Sequence, residues 1–225
     1  FFRETAIRTL FLLISPFSWF VRRPTARTSS VGKGHPPVLI VVGPQIHKSA
    51  AQFLVAFLRS RDWHWLWTIR CPRGSIAEQA DALEKQVSAF VKHTQSRHID
   101  IVAHGCSGLA VAWLLRHSEL RTKVRKFITL GTPWQGTRTA VFGALRRNVS
   151  ELSPDAPTLD QVQNLTTPTL SIWSPDDTSV IPSQSAAPDW LKSVRLDGTG
   201  HLELLTSPRA LRAIQTALES PMDPR

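Results

Sequence analysis

Residues 99–115 read IDIVAHGCSGLAVAWLL. A β-branched apolar run, Ile99 to Ala103, meets a Gly-rich corner and then an apolar stretch with helical spacing. That order predicts a buried strand, a tight turn and a helix. The same layout carries the G-x-S-x-G pattern, in which a strained strand-to-helix turn lifts a serine above the end of a sheet. Here the pattern falls on Ala103-His104-Gly105-Cys106-Ser107, and its centre is a glycine.

The flanking chain repeats the alternation. PPVLIVVG (36–43) predicts a buried strand, and SAAQFLVAFLR (49–59) a helix with Phe53/Phe57 and Leu54/Leu58 at i, i+4 spacing. WHWLWTI (63–69) predicts a strand with Trp63, Trp65 and Trp67 on one face, a row expected to lie in the core. Residues 75–93 form an amphipathic helix capped by Ser75, with Glu78 three residues on. A helix at 107–116, strands at 127–130, 169–173 and 193–196, and a closing helix at 207–219 follow. The expected fold class is α/β, with a mostly parallel central sheet covered by helices on both faces. Ligands of such sheets bind at the carboxyl ends of the strands.

Composition narrows the function classes. The chain has 225 residues, 42% hydrophobic and 20% charged, as one globular domain with a sizeable core would. Cys71 and Cys106 are too few for a disulfide framework and lack the spacing of a zinc site. No metal or cofactor is expected. The net charge is +10, and residues 1–33 hold half of it, with Arg3, Arg8, Arg22, Arg23, Arg27 and Lys33 against Glu4. No nucleic-acid reading motif accompanies this charge, so nucleic acid is not the expected partner.

The apolar stretch TLFLLISPFSWFV (9–21) lies between Arg8 and Arg22-Arg23. It falls short of the roughly 20 residues that span a bilayer, and Pro16 interrupts it. Aromatic residues at its end and flanking arginines fit an interfacial anchor. A signal-peptide core and a helix packed on the domain are the other readings. The expected organisation is therefore a membrane-associating segment (1–23), a polar linker (24–36) and a folded domain (37–220). The partners this implies are a lipid surface, contacted by residues 9–23, and proteins of a membrane complex.

Six stretches, taken in order, resemble the bacterial lipase and esterase branch of the α/β-hydrolase fold. They are PVLIVVG, RGSIAEQADALEKQVSAFV, IDIVAHGCSGLA, FITLGTPWQGT, SIWSPDDTSVIPSQSA and GTGHLELLTSP, spanning about residues 36–219. The resemblance implies an α/β-hydrolase-like fold and a triad in the order nucleophile, acid, histidine. It maps these onto Gly105, Asp177 (or its neighbour Asp176) and His201. Asp177 is preferred because the following Val-Ile-Pro aligns better. It also maps the two oxyanion-hole amides onto Pro44 and Cys106, and proline has no N–H. Residues 136–165 stand where that family carries a cap, with Val141, Phe142 and Leu145 as cover. A glycine where the nucleophile belongs and a missing donor together imply a catalytically inactive, membrane-associated binding or structural subunit. The alternative is an active carboxylic-ester hydrolase whose nucleophile is displaced to Ser107 or Cys106.

Overall fold

The computed structural model describes residues 34–139 and 149–221. The apolar segment 9–21, most of the linker, and Val141, Phe142 and Leu145 lie outside the described residues. Along the chain run β1 (Val38–Val42), α1 (Gln52–Arg59), β2 (Leu66–Arg70), α2 (Ile76–Thr94), β3 (Ile99–His104) and α3 (Ser107–His117). These are followed by β4 (Val124–Leu130), the single-turn helices α4 (Val149–Leu152) and α5 (Pro157–Asp160), β5 (Thr169–Trp173), β6 (Ser193–Arg195) and α6 (Pro208–Glu219).

All six strands join one sheet in the order β2-β1-β3-β4-β5-β6, and every pairing is parallel. Strand period splits the core in two. Leu39, Val41, Ile101 and Phe127 face the layer of α2 and α3, while Val38, Ile40, Val102 and Ile128 face that of α1 and α6. Both faces are thereby covered, and β1 reads as an unbroken apolar run.

Local signals place the elements. The Ser75 side chain accepts from the Glu78 amide while the Glu78 carboxylate accepts from the Ser75 amide, a reciprocal cap that starts α2. The helix expected over 49–59 is divided, with a 3₁₀ turn at Lys48–Ala51 before α1. Leu54 and Leu58 enter the core, but Phe53 stays 41% exposed, because four-residue spacing puts two stripes on a helix and only one faces inward.

The tryptophan row is corrected. Strand β2 begins at Leu66, so Trp63 lies outside it and packs, stacked on His35, into the α1/α6 layer. Trp67 meets Phe90 of α2 on the opposite side and remains 40% exposed, and Trp65 lies against His93. Period-2 parity holds only while the backbone is extended in register, and it fails before the strand starts. Among the described residues no helix is long and apolar enough to cross a membrane.

Candidate functional site

Strand β3 ends at His104, and the next residue turns the chain into α3. Gly105 sits there at φ +63°, a left-handed conformation that glycine adopts freely and a residue with Cβ does not. Its amide donates to Leu130 O (2.8 Å), and its carbonyl accepts from Thr132 Oγ1 (2.9 Å). The corner is thus tied to the loop after β4. A Cβ added at Gly108 would collide with the Thr132 side chain, which explains the second glycine: α3 approaches that loop too closely for anything larger.

Two further loops at the same sheet edge complete the arrangement. After β5, Asp177 turns its carboxylate toward His201, with Oδ2 2.7 Å from His201 Nδ1. Its Oδ1 accepts from the amides of Ser179 (2.8 Å) and Val180 (3.1 Å). Burial alone would push the Asp177 carboxyl up. The facing His201, its hydrogen bond and the two amides outweigh that and hold it below the usual carboxylate range. Asp176 points elsewhere, with Oδ2 accepting from the Gly198 amide. Of the two acids the sequence offered, only Asp177 is brought to His201.

His201 in turn faces the corner. A Cβ built on Gly105 would lie 3.1 Å from His201 Nε2. Behind it, the wholly buried His104 donates through Nε2 to His201 O (2.9 Å), the two rings being 4.4 Å apart. Burial, with the neighbouring His201 charge, pushes the His104 imidazole down to about 3, so it is neutral at physiological pH.

The other candidates part company. The Ser107 hydroxyl is buried beneath the turn, 2.8 Å from His104 O and 3.1 Å from Val41 O, and donates into the backbone. Cys106 follows the corner and lines the space above it. Burial and the nearby Asp177 charge push its thiol up to about 12, leaving no thiolate at neutral pH. Pro44, just past the end of β1, borders the same space and offers no N–H to it.

That space is a cavity of about 390 Å³, walled mainly by apolar surface. It opens at the carboxyl ends of the strands, where a parallel sheet presents its ligands. Gly105, Pro44, Cys106 and His201 line it together, and Asp177 stands behind His201. A hydrogen-bonded His–Asp pair beside an apolar cavity can orient an imidazole and move a proton. His47 also borders it; a lone histidine in a loop carries no motif, so nothing along the chain singles it out. Among the described residues no cluster of three or more His, Cys, Asp or Glu side chains could hold a metal ion.

Solved structures share this architecture. Lipase B from Aspergillus fumigatus superimposes with a TM-score of 0.70 at 17% identity, over 86% of this chain and 55% of that one. The mature lipase BlEst2 of Bacillus licheniformis gives 0.71 at 15% identity, over 84% and 94%. This is the α/β-hydrolase fold. Phospholipase PlaB from Legionella pneumophila is a further α/β-hydrolase-fold neighbour, with a TM-score of 0.64 at 11% identity over 82% and 60% of the two chains. This chain thus spans about half the length of the Aspergillus lipase. At these identities the likeness establishes the lipase- and esterase-like fold alone. No protein-family profile and no curated protein sequence matches the chain.

Proposed function

We propose that this chain is a lipase-like domain without acyl-transfer chemistry, serving at a membrane surface as a binding or structural subunit. One observation carries the reading. The corner that His201 Nε2 faces, in the place of a nucleophile, is Gly105 and has no side chain. Acyl transfer by this route needs a nucleophile within reach of the base and donors aimed at the developing oxyanion.

Neither substitute supports the alternative. Ser107 is committed to backbone carbonyls below the turn, and the Cys106 thiol is held protonated. Pro44 removes an amide from the place assigned to the first oxyanion donor, and one such donor is worth about 10²–10³ in rate. The Asp177–His201 pair then persists as a structural hydrogen bond. Attachment to lipid is assigned to residues 9–21 with their flanking arginines. A phospholipase among the neighbours in fold agrees with a lipid-facing role.

The test uses the purified full chain. Neither a fluorophosphonate nor iodoacetamide is expected to label it stoichiometrically, and ester turnover should stay within about 10³–10⁴ of the uncatalysed rate. The chain should sediment with anionic liposomes, and deleting residues 1–23 should abolish this. Stoichiometric labelling of Ser107 or Cys106, with turnover lost in His201→Ala, would overturn the inactive reading.

A further inference from the structure

The two ends of the sheet differ in charge. Every crossover in a parallel sheet returns the chain to the amino ends of the strands, so α1, α2 and α3 all finish there. Arg59 and Arg61 lie on the way into β2, and Lys92 and Arg97 on the way into β3. Arg116, Arg121 and Lys123 lead into β4. All seven are exposed or half-buried. The acids at this end are Asp62, Glu119 and Glu219, which leaves a surplus of four positive charges with histidines set aside. Arg125 and Lys126 turn inward, to Asp100 and the end of α6, and stand outside this balance.

Complementing helix dipoles does not account for the surplus. The four helix ends there, those of α1, α2, α3 and α6, carry about half a negative charge each, roughly two in all. Arg61, Arg97, Arg121 and Lys123 also lie beyond the last turns of α1, α2 and α3. The carboxyl end differs. Among the described residues, its loops carry Lys48, Arg73 and Arg138 against Asp176, Asp177, Asp197 and Glu203, so no cationic surplus exists where the cavity opens. The five residues of β1 set the two ends about 17 Å apart, twice the Debye length of about 8 Å at physiological salt.

The tether joins at the basic end. The His35 ring stacks on Trp63 in the connection into β2, and Pro37 O accepts from the Asp100 amide at the start of β3. The apolar segment 9–21, with Arg22, Arg23, Arg27 and Lys33 behind it, is therefore attached to the domain on this side. We propose that the amino-terminal end of the sheet docks on an anionic bilayer, its basic side chains on lipid headgroups, so that the cavity opens away from the membrane. A ligand then reaches the cavity from solution. Lipid is the occupant because the tether at the same end is apolar, and a nucleic acid offers it nothing to be buried in. This rests on the reading of residues 9–21 as a lipid anchor.

Sedimentation of the full chain with vesicles of phosphatidylcholine, alone or with a third phosphatidylserine, tests it. Arg97→Gln/Lys123→Gln should weaken binding to the anionic vesicles by about 25-fold, roughly fivefold per basic residue, and leave the neutral ones unaffected. Lys48→Gln/Arg73→Gln, at the opposite end, should change neither. All four side chains are exposed, so both variants are expected to fold, and unchanged circular dichroism melts verify this. On anionic vesicles, amide exchange should slow in residues 95–98 and 118–123 and not in 44–48 or 176–181. Equal losses for the two variants, no loss for the first, or slowed exchange at 44–48 would each overturn the proposal. Tight RNA binding lost in the first variant, with vesicle binding intact, would overturn it too. The two readings fail distinguishably. A chain that binds neither vesicle removes the lipid anchor and this orientation with it, whereas vesicle binding that ignores Arg97 and Lys123 removes the orientation alone.

Discussion

At the scale of single residues, Gly105 and His104 set opposite constraints on the same corner. A side chain at Gly105 must adopt φ +63° and bring its Cβ to 3.1 Å from His201 Nε2, closer than most real contacts. Gly105→Ser should therefore lower stability by roughly 1–3 kcal/mol, read from denaturant unfolding. The variant should also remain a poor esterase, because Pro44 still supplies no amide. Adding Pro44→Ala to Gly105→Ser should raise turnover of a nitrophenyl ester by about 10²–10³. His104 predicts a pH dependence. Its folded value of about 3 lies below the ordinary histidine value of 6.5, so between these limits the unfolded chain binds the extra proton. Stability then rises with pH across that window, by at most about 1.4 kcal/mol per pH unit from this group, and is complete above it. His104→Gln should flatten the slope between pH 4 and 6 in unfolding titrations, roughly the acidic half of the histidine range.

At the scale of elements, the amino-terminal edge of the sheet holds the closing helix by charge. Asp100 on β3 is wholly buried and takes Arg125 of β4 through two contacts, at 2.8 and 2.5 Å. The next residue, Lys126, reaches the end of α6 and donates to the carbonyls of Ala217 (2.8 Å), Leu218 (2.9 Å) and Ser220. These are the carbonyls a helix terminus leaves without partners, and a cation there also complements the helix dipole. Lys126→Met should cost about 2 kcal/mol, with hydrogen exchange accelerating first in residues 214–220. Sequence periodicity revealed α6 but not this fastening. Lys126 and Ser220 are far apart along the chain, and nothing local marks them as a pair. Local chemistry was readable where it acts within one turn, as with Ser75 and Glu78. It misled where it assumed a strand had already begun, as with Trp63.

At the scale of the molecule, the positions of the strands along the chain and the corner between β3 and α3 were legible because each depends on a short run of residues. The choice of Asp177 over Asp176 was legible only through the pattern of Val-Ile-Pro beyond it, and geometry gives the reason. Residues 179 and 180 supply the amides that hold Asp177, while the Asp176 carboxylate turns to the Gly198 amide. His47 was not legible at all. Its nearness to the cavity exists only once β1 lies beside β3. The three parts of the site come from loops after β3, β5 and β6, so no window of sequence contains them together.

The uniformly parallel pairing has a kinetic consequence. Parallel neighbours cannot be joined by a tight hairpin, so each rung of this sheet waits on a crossover that encloses a helix or a long loop. Each closure spends chain entropy before any ladder bond is gained. A newly made copy therefore dwells with Trp67 and the β2 edge uncovered for longer than a helical bundle of its length would, and in that interval it is most exposed to pairing with another chain.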